Sequence, residues 1–89
     1  MKEIKCIIRG NVQGVLYRDF VRSSASKFGL TGTVENMSDG SVEVFAQGHI
    51  NALEELLAQL HIGTEHSEIR EVIVENREIH DVVKGFSIL

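Results

Sequence analysis

The chain has 89 residues, 43% of them hydrophobic and 25% charged, with a net charge of -4 and a single cysteine. That length supports one core, because two halves would each bury too little apolar surface to offset their ordering entropy. The acidic balance argues against generic nucleic-acid binding, which draws on many Lys and Arg releasing counterions; one cysteine closes no intramolecular disulfide, and no window nears the roughly 20 apolar residues of a membrane span.

The start, Met1-Lys2-Glu3-Ile4, leads into a strand pattern without the apolar stretch and cleavage site of a secretory signal, which points to the cytoplasm. From Ile4 to Arg9 the residues Ile4, Cys6 and Ile8 alternate with Lys5, Ile7 and Arg9, the period of a half-buried strand. Cys6 thereby reads as a core filler and not a nucleophile. A glycine-punctuated loop over 10–15 precedes Tyr17, Phe20, Val21, Ala25 and Phe28, which fall at helical spacing opposite Asp19, Arg22, Ser23, Ser26 and Lys27. Gly29 suits the C-terminal cap of that helix.

Residues 31–37 read as a second strand and 41–47 as a third, with Ser38-Asp39-Gly40 between them supplying the Asp-Gly pair of a tight hairpin. After Gly48, Ile50, Leu53, Leu56, Leu57 and Leu60 mark a second amphipathic helix ending near Gly63, and Asn51 and Glu54 stand at capping-box spacing. Residues 69–74 form another apolar-rich strand, and Phe86 and Ile88 add a short last strand on the sheet edge. The order βαββαβ predicts an α+β, ferredoxin-like sandwich over residues 1–89: two helices on one face of an antiparallel sheet ordered 4-1-3-2, with a short extra terminal strand. In that topology the loop after the first strand and the end of the second share an edge, which brings the 10–18 segment to within roughly 10 Å of Asn36.

The segment from Gly10 to Arg18 joins a strand to a helix start, where N–H groups lack intrahelical partners and the helix dipole favours negative charge. Gly14 allows a tight curl, successive N–H groups can form an anion nest, and Arg18 offers a planar fork that matches phosphate oxygens. No Gly-Lys-Ser/Thr follows the glycines, so this is not a Walker loop. By spacing alone a bare glycine loop before a helix is more often a plain turn than an anion site.

Two motifs make the reading specific. The run Ile8 to Arg18 resembles the first signature of the acylphosphatase family, and Gly32-Thr33-Val34-Glu35-Asn36, continued by Asp39-Gly40-Ser41-Val42 and Gly48, resembles the second. The likeness extends to the Phe86-Ser87-Ile88 ending. It implies an enzyme that hydrolyses the carboxyl-phosphate bond of acyl phosphates to a carboxylate and inorganic phosphate. It implies that Arg18 holds the phosphate, with the backbone amides of Gln13, Gly14, Val15, Leu16, Tyr17 and Arg18 around it, and that Asn36 orients the attacking water. No metal or cofactor is expected, the expected partners are the small-molecule substrate and the phosphate product, with neither nucleic acid nor membrane, and the default state is a monomer. The chemistry is consistent with this set: a carboxylate leaving group needs no general acid, and phosphoryl transfer rests mainly on positioning and charge stabilisation.

The chain departs from the family at Thr33, where an aromatic residue is common, and at Glu35, where a basic or neutral polar residue is usual. Strand alternation turns 33 and 35 away from 34 and 36, so Glu35 need not face the phosphate. Leu16 and Tyr17 replace commonly smaller or phenylalanine side chains, and 63–67 lacks the prolines often found there. His49, His61, His66 and His80 have no partners at metal-ligand spacing and read as surface residues. An RNA-binding module would stack bases on aromatics of the central strands, where only Phe45 is available; a metal chaperone would need a second cysteine; a non-catalytic acylphosphatase-like domain binding an anion or a partner stays open.

Overall fold

The seven elements follow the predicted order: β1 (Lys2–Asn11), α1 (Tyr17–Lys27), β2 (Thr31–Asn36), β3 (Val42–Gly48), α2 (Ile50–Ile62), β4 (Glu68–Arg77) and β5 (Phe86–Ile88). This computed structural model describes residues Met1–Leu89. The sheet is ordered β4-β1-β3-β2-β5. The first four strands pair antiparallel, whereas β5 runs parallel to β2, with Gly32 opposite Phe86 and Val34 opposite Ile88, so the whole sheet is mixed.

Strand alternation builds the core. In register, Cys6 lies between Val44 of β3 and Val74 of β4. Ile4, Cys6, Ile8, Val34, Val42, Val44 and Ala46 face the helices and meet Tyr17, Val21 and Ala25 of α1 and Leu53, Leu56 and Leu60 of α2. Each large side chain buried this way contributes about 1.5–3 kcal/mol of transfer free energy. Burial pushes the Cys6 thiol up to about 12, so it stays protonated at neutral pH and acts as packing. α1 crosses β2 and β5, and α2 crosses β3 and β4. Neither helix is long and apolar enough to cross a membrane.

Three local details differ from the sequence pattern. The Asn51/Glu54 capping box does not form: His49 is the N-cap of α2 and makes no side-chain cap, and Asn51 lies inside the first turn. The β2–β3 hairpin is not a two-residue Asp-Gly turn but a loop closed by Met37 N donating to Ser41 O at 2.8 Å, with Gly40 at φ 94 in the left-handed position. Asp39 organises it by accepting from Ser41 N at 3.0 Å and Ser41 Oγ at 2.6 Å. β4 also runs further than its apolar stretch, because edge pairing with β1 carries on through Glu75, Asn76 and Arg77.

The face away from the helices is covered at one end by the 78–85 connection. Gln47, only 2% exposed, holds it there: Nε2 donates to Asp81 O at 2.6 Å and to Glu3 Oε1 at 2.8 Å, and Oε1 accepts from Val83 N at 3.0 Å.

Candidate active site

β1 ends at Asn11, and the chain takes five residues to enter α1. In this bend Gly14 has φ 74 and Leu16 has φ 61, while Val15 between them has negative φ. Alternation of hand turns successive N–H groups to one side and forms a concave nest. The N–H groups from Gln13 to Arg18 donate to no acceptor within the protein, and the first helical bond is Phe20 N to Leu16 O at 3.1 Å. Six adjacent free donors at a helix N-terminus carry a positive partial charge.

The bend is clamped on both flanks. The Gln13 side chain crosses to the hairpin, where Nε2 donates to Met37 O at 2.8 Å and Ser41 O at 2.9 Å. On the other side Thr64 Oγ1 donates to Val15 O at 3.1 Å. Beneath it, buried Tyr17 donates its hydroxyl to Leu60 O at 2.9 Å, and burial raises its pKa well above the usual phenol value. Tyr17 is therefore a support of the bend, as its helical spacing suggests.

A cavity of about 260 Å³ opens at this point, lined on its polar side by Gly14, Arg18, Asp19 and Asn36 and on its apolar side by Val12, Leu16, Tyr17 and Ile88. Asn36 ends β2 on the helix side of the sheet, in step with buried Gly32 and Val34, which explains why it meets the start of α1. Its carboxamide makes no hydrogen bond within the protein, and Oδ1 is buried without a donor. The half-buried Arg18 side chain is steadied by one bond, Nη1 to the main-chain oxygen of Leu89 at 2.9 Å. That leaves most of its five donors free. β5 supplies this support because Leu89 N in turn donates to Val34 O at 2.9 Å.

Thus Gly14, Leu16, Tyr17, Arg18 and Asn36 come together, while Gln13 and Val15 stand outside the lining, the first turned to the hairpin and the second packed against the core. Glu35 lies exposed on the other face, across from Glu43. The four histidines are exposed, and no three side chains among His, Cys, Asp and Glu gather as a metal-binding group.

The acylphosphatase family model matches residues 4–88. The chain belongs to the acylphosphatase family. An acylphosphatase of Geobacillus thermodenitrificans is 39% identical over 89 residues, covering 100% of this chain and 95% of the relative. The crystal structure of acylphosphatase from Bacillus subtilis superposes with a TM-score of 0.97 at 35% identity, covering 100% of this chain and 99% of that one. An acylphosphatase structure from Coxiella burnetii gives 0.93 at 32% identity, covering 99% and 92%. Within this acylphosphatase fold, sequence reasoning missed Val12, Asp19 and Ile88 as cavity residues. Asp19 could have been found from its place beside Arg18 in the first turn, whereas Ile88 enters only through the pairing of β5 with β2.

Proposed function

We propose that this acylphosphatase binds the phosphate of an acyl phosphate in the nest of Gln13 to Arg18 amides and on the Arg18 guanidinium, and directs a water at phosphorus from Asn36. The observation that carries this reading is one cavity lined by Gly14, Leu16, Tyr17 and Arg18 of the free N–H run, by the largely uncommitted Arg18 guanidinium and by the Asn36 residue whose carboxamide has no protein partner. An unmade hydrogen bond at a buried oxygen costs about 1–3 kcal/mol; Oδ1 is turned away from solvent as it stands, so it takes a rotation of the amide toward the cavity for a bound water to relieve that cost. Because nothing in the protein ties the amide down, it can present Oδ1 to a water hydrogen.

The water oxygen forms a bond to phosphorus as the bond from phosphorus to the acyl oxygen breaks; the carboxylate leaves with that electron pair, and the water proton passes to a phosphate oxygen. Donors placed around the equatorial oxygens stabilise spreading charge without reorganising, which is where this chemistry gains its rate. The same reading takes residues 1–89 as a single domain acting as a cytoplasmic monomer without a cofactor.

Hydrolysis of benzoyl phosphate by the purified protein, with and without a chelator, is the test. Turnover is expected in both. Asn36→Ala is expected to remove most turnover while inorganic phosphate still inhibits; an equal collapse of phosphate affinity would make Asn36 a binding residue instead, and absence of turnover in the wild type would leave a non-catalytic anion-binding domain.

A further inference from the structure

Leu16, whose main-chain oxygen accepts the first bond of α1, carries two local costs that its side chain does not offset by packing. It is the only non-glycine residue with positive φ, a conformation that crowds its Cβ, and its side chain is 75% exposed to water. Strain of this kind persists where the surroundings impose it, and it clusters at ligand sites. Here the strain projects an apolar side chain into the lining of the phosphate cavity, where Ile88 of β5 also lies. The exposed Leu89 follows Ile88 in the chain, next to the main-chain oxygen that holds Arg18.

The cavity, open at its mouth, has room beyond a phosphate and one water. A water's share of liquid volume is about 30 Å³, and a phosphate group with one attacking water fills only part of the 260 Å³ present. Half of the lining is hydrophobic, and none of those side chains can bind a phosphate oxygen. The remaining polar group, Asp19, is an exposed carboxylate. It repels anions, which does not help phosphate binding and does disfavour a second negative charge on the substrate.

We propose that Leu16 and Ile88 form an acyl-group subsite beside the phosphate nest, screened by Asp19, that selects acyl phosphates with an apolar, uncharged acyl chain over short or carboxylate-bearing ones. This rests on the acylphosphatase reading and extends it to the other half of the substrate. Leu16 and Ile88 shield the chain from water, and Asp19 sets the sign of charge that the mouth tolerates.

The experiment compares kcat/KM for acetyl, butyryl, hexanoyl and adipoyl monophosphate. The aliphatic leaving groups are of similar acidity, so chain length reports on contact, and the hexanoyl and adipoyl substrates differ by a terminal carboxylate. Hexanoyl phosphate is expected to exceed acetyl phosphate by about tenfold, less than full burial of every methylene would give because the mouth is open. Leu16→Asn, whose side chain tolerates the left-handed conformation, and Ile88→Thr are each expected to bring the ratio down to about threefold or below. Damage to the nest would lower both substrates together and leave the ratio unchanged, so the ratio isolates the subsite. The wild type is expected to disfavour adipoyl phosphate several-fold, and Asp19→Asn to narrow that gap, as added salt also should. A chain-length ratio near one in the wild type, or one that both apolar substitutions leave intact, would overturn the subsite while acylphosphatase activity stood; failure to hydrolyse any of the four would instead sink the reading on which it rests.

Discussion

Two irregular connections in this molecule are each held by a glutamine amide, and the two glutamines differ in what depends on them. Gln13 ties the bend before α1 to the hairpin after Asn36, through carbonyls that already accept from Gly40 N and Met37 N. Its loss leaves neither carbonyl orphaned. Gln47 ties the 78–85 connection across the open face, and it is the partner of Val83 N and Asp81 O. The first amide is thus dispensable to hydrogen-bond satisfaction and governs the spacing of the site, whereas the second is far from the chemistry and carries fold stability. Position in the chain tells them apart less well than the question of which groups each would leave unpaired.

The strongest test of the site side is Arg18→Ala, expected to lower turnover by about 10³-fold or more, as for other arginines that stabilise phosphoryl transfer. Its single bond to the exposed Leu89 oxygen means that the fold should lose little, so thermal melting near the wild-type value alongside near-complete loss of rate is the expected pair of readings. Turnover close to wild type would remove Arg18 from the mechanism. Gln13→Ala sharpens the comparison: a bend free to drift by about 1 Å from Asn36 can cost up to about 10²-fold in kcat. Its stability loss should stay near about 1 kcal/mol, the net worth of an ordinary hydrogen bond. A large melting shift with unchanged kcat would reverse the roles assigned to the two glutamines.

Much of the site's placement is legible in the sequence. Arg18 and Asn36 could be placed together because the βαββαβ topology sets the loop after the first strand and the end of the second on a shared edge, and the resemblance to the family singled out those two residues; β2 indeed ends at Asn36 and α1 begins at Tyr17. The free N–H groups of Tyr17 and Arg18 follow from any helix start without a capping side chain, whereas those of the preceding bend do not. What stayed hidden was long-range: Gln13 reaches a hairpin 24 and 28 residues away, and Gln47 a connection 34 and 36 residues away, distances that no local period records. The reach of β4 was hidden for another reason. Its residues Glu75 to Arg77 are exposed on a sheet edge, so no burial pattern marks them; pairing with β1 and the contacts of Arg77 with Glu3 and Phe45 keep them in the strand. Leu16 gave no sign of its left-handed backbone, since leucine is an ordinary helix former.

On the stability side, Gln47→Leu keeps the volume and removes the amide, leaving Val83 N and Asp81 O without that partner. The expected loss is about 2–3 kcal/mol, read as an earlier midpoint in a denaturant melt. Activity of the folded fraction should be close to wild type, because Gln47 does not line the phosphate cavity. A selective fall in kcat would mean that the 78–85 connection sets β5, and with it Arg18, more firmly than the contacts suggest.

The smallest effect belongs to Asp39, which shapes the hairpin that Gln13 grips. Its carboxylate accepts from the Ser41 hydroxyl and from Ser41 N, with Arg9 at 3.8 Å, and these contacts hold its pKa below the usual carboxylate value. A folded pKa below the unfolded one contributes stability above the unfolded value and loses it as pH falls through the folded value. Asp39→Asn retains an acceptor oxygen for the turn but carries no titrating charge. The wild type should therefore be slightly the more stable at neutral pH, and the gap should close on acidification below the ordinary carboxylate range. Paired thermal melts across that range read it directly: a gap that widens in acid would show that the hairpin draws on the neutral carboxyl, and the grip of Gln13 on Met37 and Ser41 would then weaken at neutral pH instead of in acid.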